Sequence, residues 1–300
     1  MYINEYGNRN DPTVLLLSPM MVSGEDLYRS MSPYFHKEYH FIAPDQGGHG
    51  KAGAYRSADE EYKELKRFLL DAGYTEIELA YDGFNPSEPE TEFRSVAWEA
   101  RGLEDYILQN YDGKVDILYG LSYGCRTLMQ VLEDDRLQIT TTIADGMSLR
   151  DYPDIKSETL KEIYLFFFTG TFFVIMGRAG KLRKHFLAKI TGRSPEEADR
   201  ILYTKASWQS WKNQDKCLIG KKTDYSAFAH TDMHIWYGIK GTVDKKLSAN
   251  LEELKAKGYP FTCKIFEDMG HGGLVGENTE RFIQEVDRVH RHKRENTREG

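Results

Sequence analysis

The stretch that decides the fold is VDILYGLSYGCRTLMQVL, Val115 to Leu132. A mostly apolar run, Val115 to Tyr119, meets Gly120-Leu121-Ser122-Tyr123-Gly124, and a segment of helical character follows. A serine hydroxyl is a poor nucleophile until its proton is removed and its oxygen is held clear of the chain. A sharp strand-to-helix turn lifts that oxygen to the carboxyl edge of a sheet. Such a turn is strained, so glycines are needed where a Cβ would collide. Gly120 and Gly124 flank Ser122 in that sense. The helix that starts there aims backbone N–H groups, and the positive end of its dipole, at a developing oxyanion. Ser122 is therefore a candidate nucleophile, and a plain flexible turn is the bland alternative.

Working outward from this turn, strand and helix alternate. TVLLLSP (Thr13 to Pro19), YHFIAPD (Tyr39 to Asp45), EIELAYD (Glu76 to Asp82) and ITTTIAD (Ile139 to Asp145) read as strands, as do MHIWYG (Met233 to Gly238) and FTCKIFED (Phe261 to Asp268). Helical patterns lie between them: SGEDLYRSMSPYFHK, SADEEYKELKRFLLDAGY with Ser57 as its cap, VAWEARGLEDYILQNY, KLSANLEELKAKGY and TERFIQEVDRVHRH. The alternation predicts an α/β fold, a mainly parallel sheet with helices on both faces. The units ending at Asp45 and Asp82 echo each other, which suggests one extra strand–helix unit. Between about 150 and 232 the pattern becomes helical, so a cap insertion is expected there. Residues 1–149 and 233–290 are then the core and 291–300 a charged tail.

The chain has 300 residues, with 40 Lys and Arg against 47 Asp and Glu, a net charge of −7. That balance argues against nucleic acid as the main partner, because phosphate binding needs a positive surface. Cys125, Cys217 and Cys263 are odd in number and widely spaced, so neither a disulfide framework nor a zinc site is indicated. The amino-terminal MYINEYGNRNDP lacks the apolar core of a signal peptide, and a cytoplasmic location is expected. The apolar run YLFFFTGTFFVIMG has about 14 residues, fewer than the ~20 of a spanning helix.

The pieces LLLSPMMVSG, FIAPDQGGHG, YGLSYG and MGHGG…ENTERFIQEV, in that order, resemble the α/β-hydrolase superfamily over nearly the whole chain. The resemblance implies a serine hydrolase of carboxylesterase type, without cofactor or metal, acting on a small molecule through an acyl-enzyme. It implies His271, among Gly270, Gly272 and Gly273, as the general base. For the acid, the position three residues after Gly238 holds Gly241, so two candidates stay open. Asp145, at the carboxyl end of the strand after the nucleophile helix, is favoured; Asp244 is the alternative, and a turn aspartate is the bland reading of each. The oxyanion donors would be the Tyr123 N–H and an amide of the first loop. Pro19 has no N–H there, so the donor falls to Met20, or to Met21 if the register slips.

The run LKEIYLFFFTGTFFVIMGR is too apolar for a solvated helix. It reads first as a cap helix burying one face. It could also line an acyl pocket through Phe166, Phe167, Phe168, Phe172 and Phe173, or touch a membrane transiently, helped by Arg178, Lys181, Arg183 and Lys184. Two rival functions remain. One is a non-catalytic small-ligand binder of the same fold, encouraged by Gly241. The other is a dinucleotide site, since Gly48, Gly50 and Gly53 formally give GxGxxG with Asp82 beyond. That fit is poor, because the loop runs on through Arg56 before any helix, away from the helix end that would bind phosphate.

Overall fold

A computed structural model describes residues 2–17, 24–31, 39–45, 79–80, 93–149, 152–178, 185–186, 188–189, 192, 195, 208–274, 278, 281–282 and 284–289. Among the described residues eight strands form one sheet: β1 (Tyr2–Tyr6), β2 (Thr13–Leu17), β3 (His40–Asp45), β4 (Leu79–Ala80), β5 (Lys114–Leu121), β6 (Gln138–Asp145), β7 (Asp232–Gly238) and β8 (Thr262–Phe266). Their order is β4-β1-β3-β2-β5-β6-β7-β8. From β3 across to β8 every pairing is parallel. β1 runs antiparallel to both of its neighbours.

The helices of the sheet layers are α1 (Gly24–Met31), α2 (Val96–Tyr111) and α3 (Gly124–Asp134). Side chains alternate along each central strand, so one strand feeds two cores. In β5, Leu118 joins α2 and α3 residues such as Leu103, Ile107 and Leu128 on one face. Ile117, Tyr119 and Leu121 join Leu27 and Tyr28 of α1, with Phe282, Val286 and Val289 near the carboxyl terminus, on the other. Helices therefore cover both faces of the sheet, as the alternation predicts.

Three departures from the sequence reading have local causes. β1 was not expected, because its Asn4 and Glu5 interrupt the apolar pattern; both are buried nonetheless. Glu5 is held by His40 at 3.3 Å, by Arg9 at 3.0 Å and by the Tyr106 hydroxyl. Burial raises its carboxyl, but the His40 hydrogen bond and the Arg9 charge outweigh that and leave it below its usual range. The expected third strand is reduced, within the described residues, to Leu79–Ala80 at the sheet edge, antiparallel rather than part of a parallel repeat. The helix expected over 246–259 is two short ones, α6 (Val243–Leu247) and α7 (Leu251–Ala256). Ser248 breaks the run by turning its hydroxyl back to the Asp244 carbonyl at 2.7 Å.

Between β6 and β7 the chain leaves the sheet. The insert contributes α4 (Glu158–Arg178), α5 (Trp208–Lys216) and a 3-10 turn, Tyr225–His230, with α4 packed on α5. A β-branched residue at Gly120 tests how tightly α3 is pressed on β5. A Cβ there would lie 3.0 Å from Leu128 Cδ1 and 3.2 Å from the Cys125 amide nitrogen. Gly120→Val should therefore lower unfolding stability by about 1–3 kcal/mol, read as the shift in the urea midpoint; an unshifted midpoint would mean that α3 can retreat.

Candidate active site

The sheet register sets the site. β2 ends at Leu17 beside Gly120, and Leu121 lies beside Asp145, which in turn lies beside Trp236 of β7. The carboxyl ends of four consecutive parallel strands therefore meet at one edge. Ser122 follows directly, half-buried, in the left-handed region with φ 54°. Few residues without glycine's freedom hold that conformation. Here its N–H donates to the Asp145 carbonyl at 2.8 Å and its own carbonyl accepts from the Cys125 N–H at 3.1 Å. The first bond pins the turn to β6 and the second starts α3. Tyr123 is the N-cap of α3, where backbone amides lack partners within the helix.

His271 comes from the loop after β8. That loop is bound to the end of β7: the Ile239 N–H donates to the Phe266 carbonyl at 3.1 Å and the Lys240 N–H to the Met269 carbonyl at 2.8 Å. Gly238 permits the approach, since a Cβ there would run into the Gly270 carbonyl. His271 Nδ1 hydrogen-bonds Asp244 Oδ1, and Asp244 Oδ2 accepts the Gly238 N–H at 2.8 Å. The Asp244 side chain is fully buried. A carboxylate accepts only, so Nδ1 carries the proton and Nε2 is left as an acceptor.

The favoured acid, Asp145, is therefore corrected to Asp244 as the partner of His271. Strand alternation explains the correction. Asp145 shares its sheet face with Tyr119, whose hydroxyl donates to Asp145 Oδ2 at 3.0 Å, so the carboxyl points down into the sheet-helix layer. The next residue, Gly146, is the one that meets the imidazole. A Cβ on Gly146 would lie 2.5 Å from His271 Cε1 and 2.7 Å from Nδ1, and its φ is +66°. Ser122 and His271 are thus linked through two successive residues: Asp145 holds the Ser122 amide and Gly146 floors the imidazole. Sequence reasoning missed Gly146, although glycine directly after a strand-end aspartate is the signal that could have found it.

Other expected residues fall less favourably. Met20, Met21, Gly48, Gly50, Gly53 and Asp82 lie outside the described residues, as do the side chains of Phe172 and Phe173. Phe166, Phe167 and Phe168 are exposed by 67%, 66% and 52%, so they do not line a buried acyl pocket. Among the described side chains of α4, Leu165 and Thr169, one helical turn apart, are buried, and these three phenylalanines lie off that stripe. Beside the elbow the apolar wall is instead Phe93 and Val96 with Tyr123, backed by Cys217 and Leu218. Cys125 is no rival nucleophile: burial pushes its thiol well above the usual range, and Sγ points at the Gly120 carbonyl at 3.1 Å. Among the described residues, no helix is long and apolar enough to cross a membrane, and no group of His, Cys, Asp and Glu is arranged to hold a metal ion.

The fold recurs in solved structures. A protein assigned to the alpha/beta hydrolase family, from Desulfitobacterium hafniense, superimposes with a TM-score of 0.63 at 14% identity, covering 95% of this chain and 99% of its own. The chain has the α/β-hydrolase fold. A carboxylesterase of Nitrososphaera gargenis aligns at TM-score 0.65 and 14% identity over 98% of this chain and 95% of its own. An esterase of Exiguobacterium antarcticum aligns at 0.61 and 14% over 96% and 94%. In sequence, no protein-family model and no curated protein matches the chain. At such identities, what the α/β-hydrolase core shares with these proteins is its fold.

Two predictions follow from the geometry around the imidazole and the insert. A proton held between His271 Nδ1 and Asp244 should give a far-downfield 1H NMR resonance. It should vanish in Asp244→Asn and Gly146→Ala and persist in Asp145→Asn; the reverse pattern would return Asp145 to the imidazole. In the insert, Asp215 is buried and accepts the Thr169 hydroxyl at 2.7 Å. Burial pushes its carboxyl from 3.8 up to about 6, with the Thr169 bond opposing. The folded state therefore holds this proton more tightly than the unfolded one. Stability from this group is full below about pH 4, declines as the pH rises, and is lost above about pH 6. Asp215→Asn should thus stabilise the protein at pH 8 by up to roughly 3 kcal/mol and hardly at pH 4, measured by thermal unfolding at both pH values; an equal effect at both would reject a buried carboxylate.

Proposed function

We propose that the protein is a serine hydrolase that cleaves a small, apolar-acyl ester through an acyl-enzyme. The observation that carries this reading is the bonding of His271 Nδ1 to the buried Asp244, at the sheet edge where Ser122 stands on a left-handed turn. Esterases and a carboxylesterase among proteins of this fold support the same reaction class.

The chemistry runs as follows. His271 Nε2 takes the Ser122 Oγ proton as the oxygen attacks the ester carbonyl carbon. The carbonyl pair moves onto oxygen, where the Tyr123 N–H at the head of α3 stabilises the charge, with Met20 as the second donor. Asp244 holds the ring and offsets the charge of the imidazolium. His271 then returns the proton to the departing alcohol oxygen, leaving Ser122 acylated. Water repeats the cycle in reverse, giving the acid and free serine, so the step needs no cofactor. The placement of Asp244 against His271 removes the encouragement that Gly241 lent to a non-catalytic binder.

Ser122→Ala should abolish fluorophosphonate labelling and p-nitrophenyl ester turnover while leaving the circular dichroism unchanged. Asp244→Asn should lower kcat by about 10³–10⁴, and Asp145→Asn by less than about tenfold. Turnover that survives in Ser122→Ala, with a native spectrum, would reject the mechanism. A panel of esters of increasing acyl length, run on the wild type, reads the acyl preference.

A further inference from the structure

Tyr123 is tied to the insert as well as to the elbow. Its hydroxyl donates to the Gln214 carbonyl in α5 at 3.0 Å, across 91 residues of sequence. The ring is buried edge-on to Phe93, with centroids 6.1 Å apart. Burial, reinforced by Cys217 and Asp215 nearby, pushes the phenol well above its usual range, so it remains a donor. The preceding residue of α5, Asn213, donates through Nδ2 to the Phe93 carbonyl at 2.7 Å. The following one, Asp215, takes the hydroxyl of Thr169 in α4 at 2.7 Å. Three successive residues of α5 thus grip the wall of the site, the residue after the nucleophile, and the other helix of the insert. Gln214 and Thr169 are fully buried.

We infer that Tyr123 is a positioning residue through which the insert sets the orientation of the oxyanion amide. This rests on the hydrolase reading above. A donor serves the transition state only if held within about 0.5 Å and 10–20° of the developing charge. The Tyr123 amide belongs to a residue whose side chain is anchored at its far end, so the anchor restrains rotation of the 122–123 peptide. A tilt of α5 that breaks the phenol–carbonyl bond releases that restraint. The insert then acts on rate through the amide rather than on substrate affinity through its own surface.

Tyr123→Phe keeps the ring and removes only the bond. With p-nitrophenyl butyrate, and active sites counted by fluorophosphonate, its kcat should fall about fivefold to tenfold while KM stays within about twofold. Rescue by a conservative change tests the same link from the cap side. Thr169→Val, which touches neither elbow nor imidazole, should lower kcat by a similar factor, add little in the Tyr123→Phe background, and be restored by Thr169→Ser. A purely structural role would lower the thermal midpoint of Tyr123→Phe but leave kcat per active site unchanged, and that result overturns the inference. Fully additive effects of the two variants overturn it too. If the wild type is not labelled at all, the hydrolase reading itself fails; if it is labelled and active but Tyr123→Phe matches it in kcat, only the present inference does.

Discussion

The site depends on a single backbone hydrogen bond, from the Ser122 N–H to the Asp145 carbonyl at 2.8 Å. A left-handed φ on a non-glycine residue costs of the order of 1–3 kcal/mol, and it persists only where the surroundings over-determine it. Here the bond extends the β5–β6 ladder one residue past Leu121–Asp145 and clamps the turn to the sheet. Gly120 lets α3 press on the strand beneath it. The strain is thus held by pairings on both sides, which fix the backbone of Ser122 at the rim of the sheet.

The second half of the site is built by a different economy. His271 and Asp244 lie 27 residues apart on segments that follow neighbouring strands, His271 on a loop and Asp244 in the first turn of α6. Two backbone bonds lace those segments together, and Gly238 lets them approach. Asp244 is fully buried, yet both oxygens are occupied, one by the imidazole and one by the Gly238 amide. A buried carboxylate is costly unless it is paired and hydrogen-bonded, and this one is both. The carboxyl of Asp145 is met from the sheet itself, by the Tyr119 hydroxyl at 3.0 Å.

The insert is set against this rigid edge by polar contacts of α5 rather than by the aromatic face of α4. Phe166, Phe167 and Phe168 point away from the core, whereas Asn213, Gln214 and Asp215 make the bonds to Phe93, Tyr123 and Thr169. Apolar content alone was therefore a poor guide to which part of the insert meets the site. Helical phase decides it: among the described side chains of that run, Leu165 and Thr169 are buried while Phe166, Phe167 and Phe168 are exposed.

Much of this was legible in the order of residues along the chain. Period and punctuation are local properties, so the parallel strands, the glycine-flanked Ser122 and the glycine-rich loop at His271 could be read directly, and both residues follow carboxyl ends of strands of the one sheet. Strands with buried charge were hidden: Glu5 reads as polar until His40 and Tyr106, distant in sequence, join the nearby Arg9 in meeting it. The choice of acid was hidden for the same kind of reason. Asp145 ends a strand next to Gly146 and Asp244 opens a short helix three residues after Gly241, and neither local pattern says which carboxyl meets the imidazole. Which carboxyl reaches the imidazole follows from the face on which β6 presents Asp145 and from how far the loop after β7 folds back. Those are facts about register and crossing chains, set by packing across the whole sheet, and they come into being only when the sheet does.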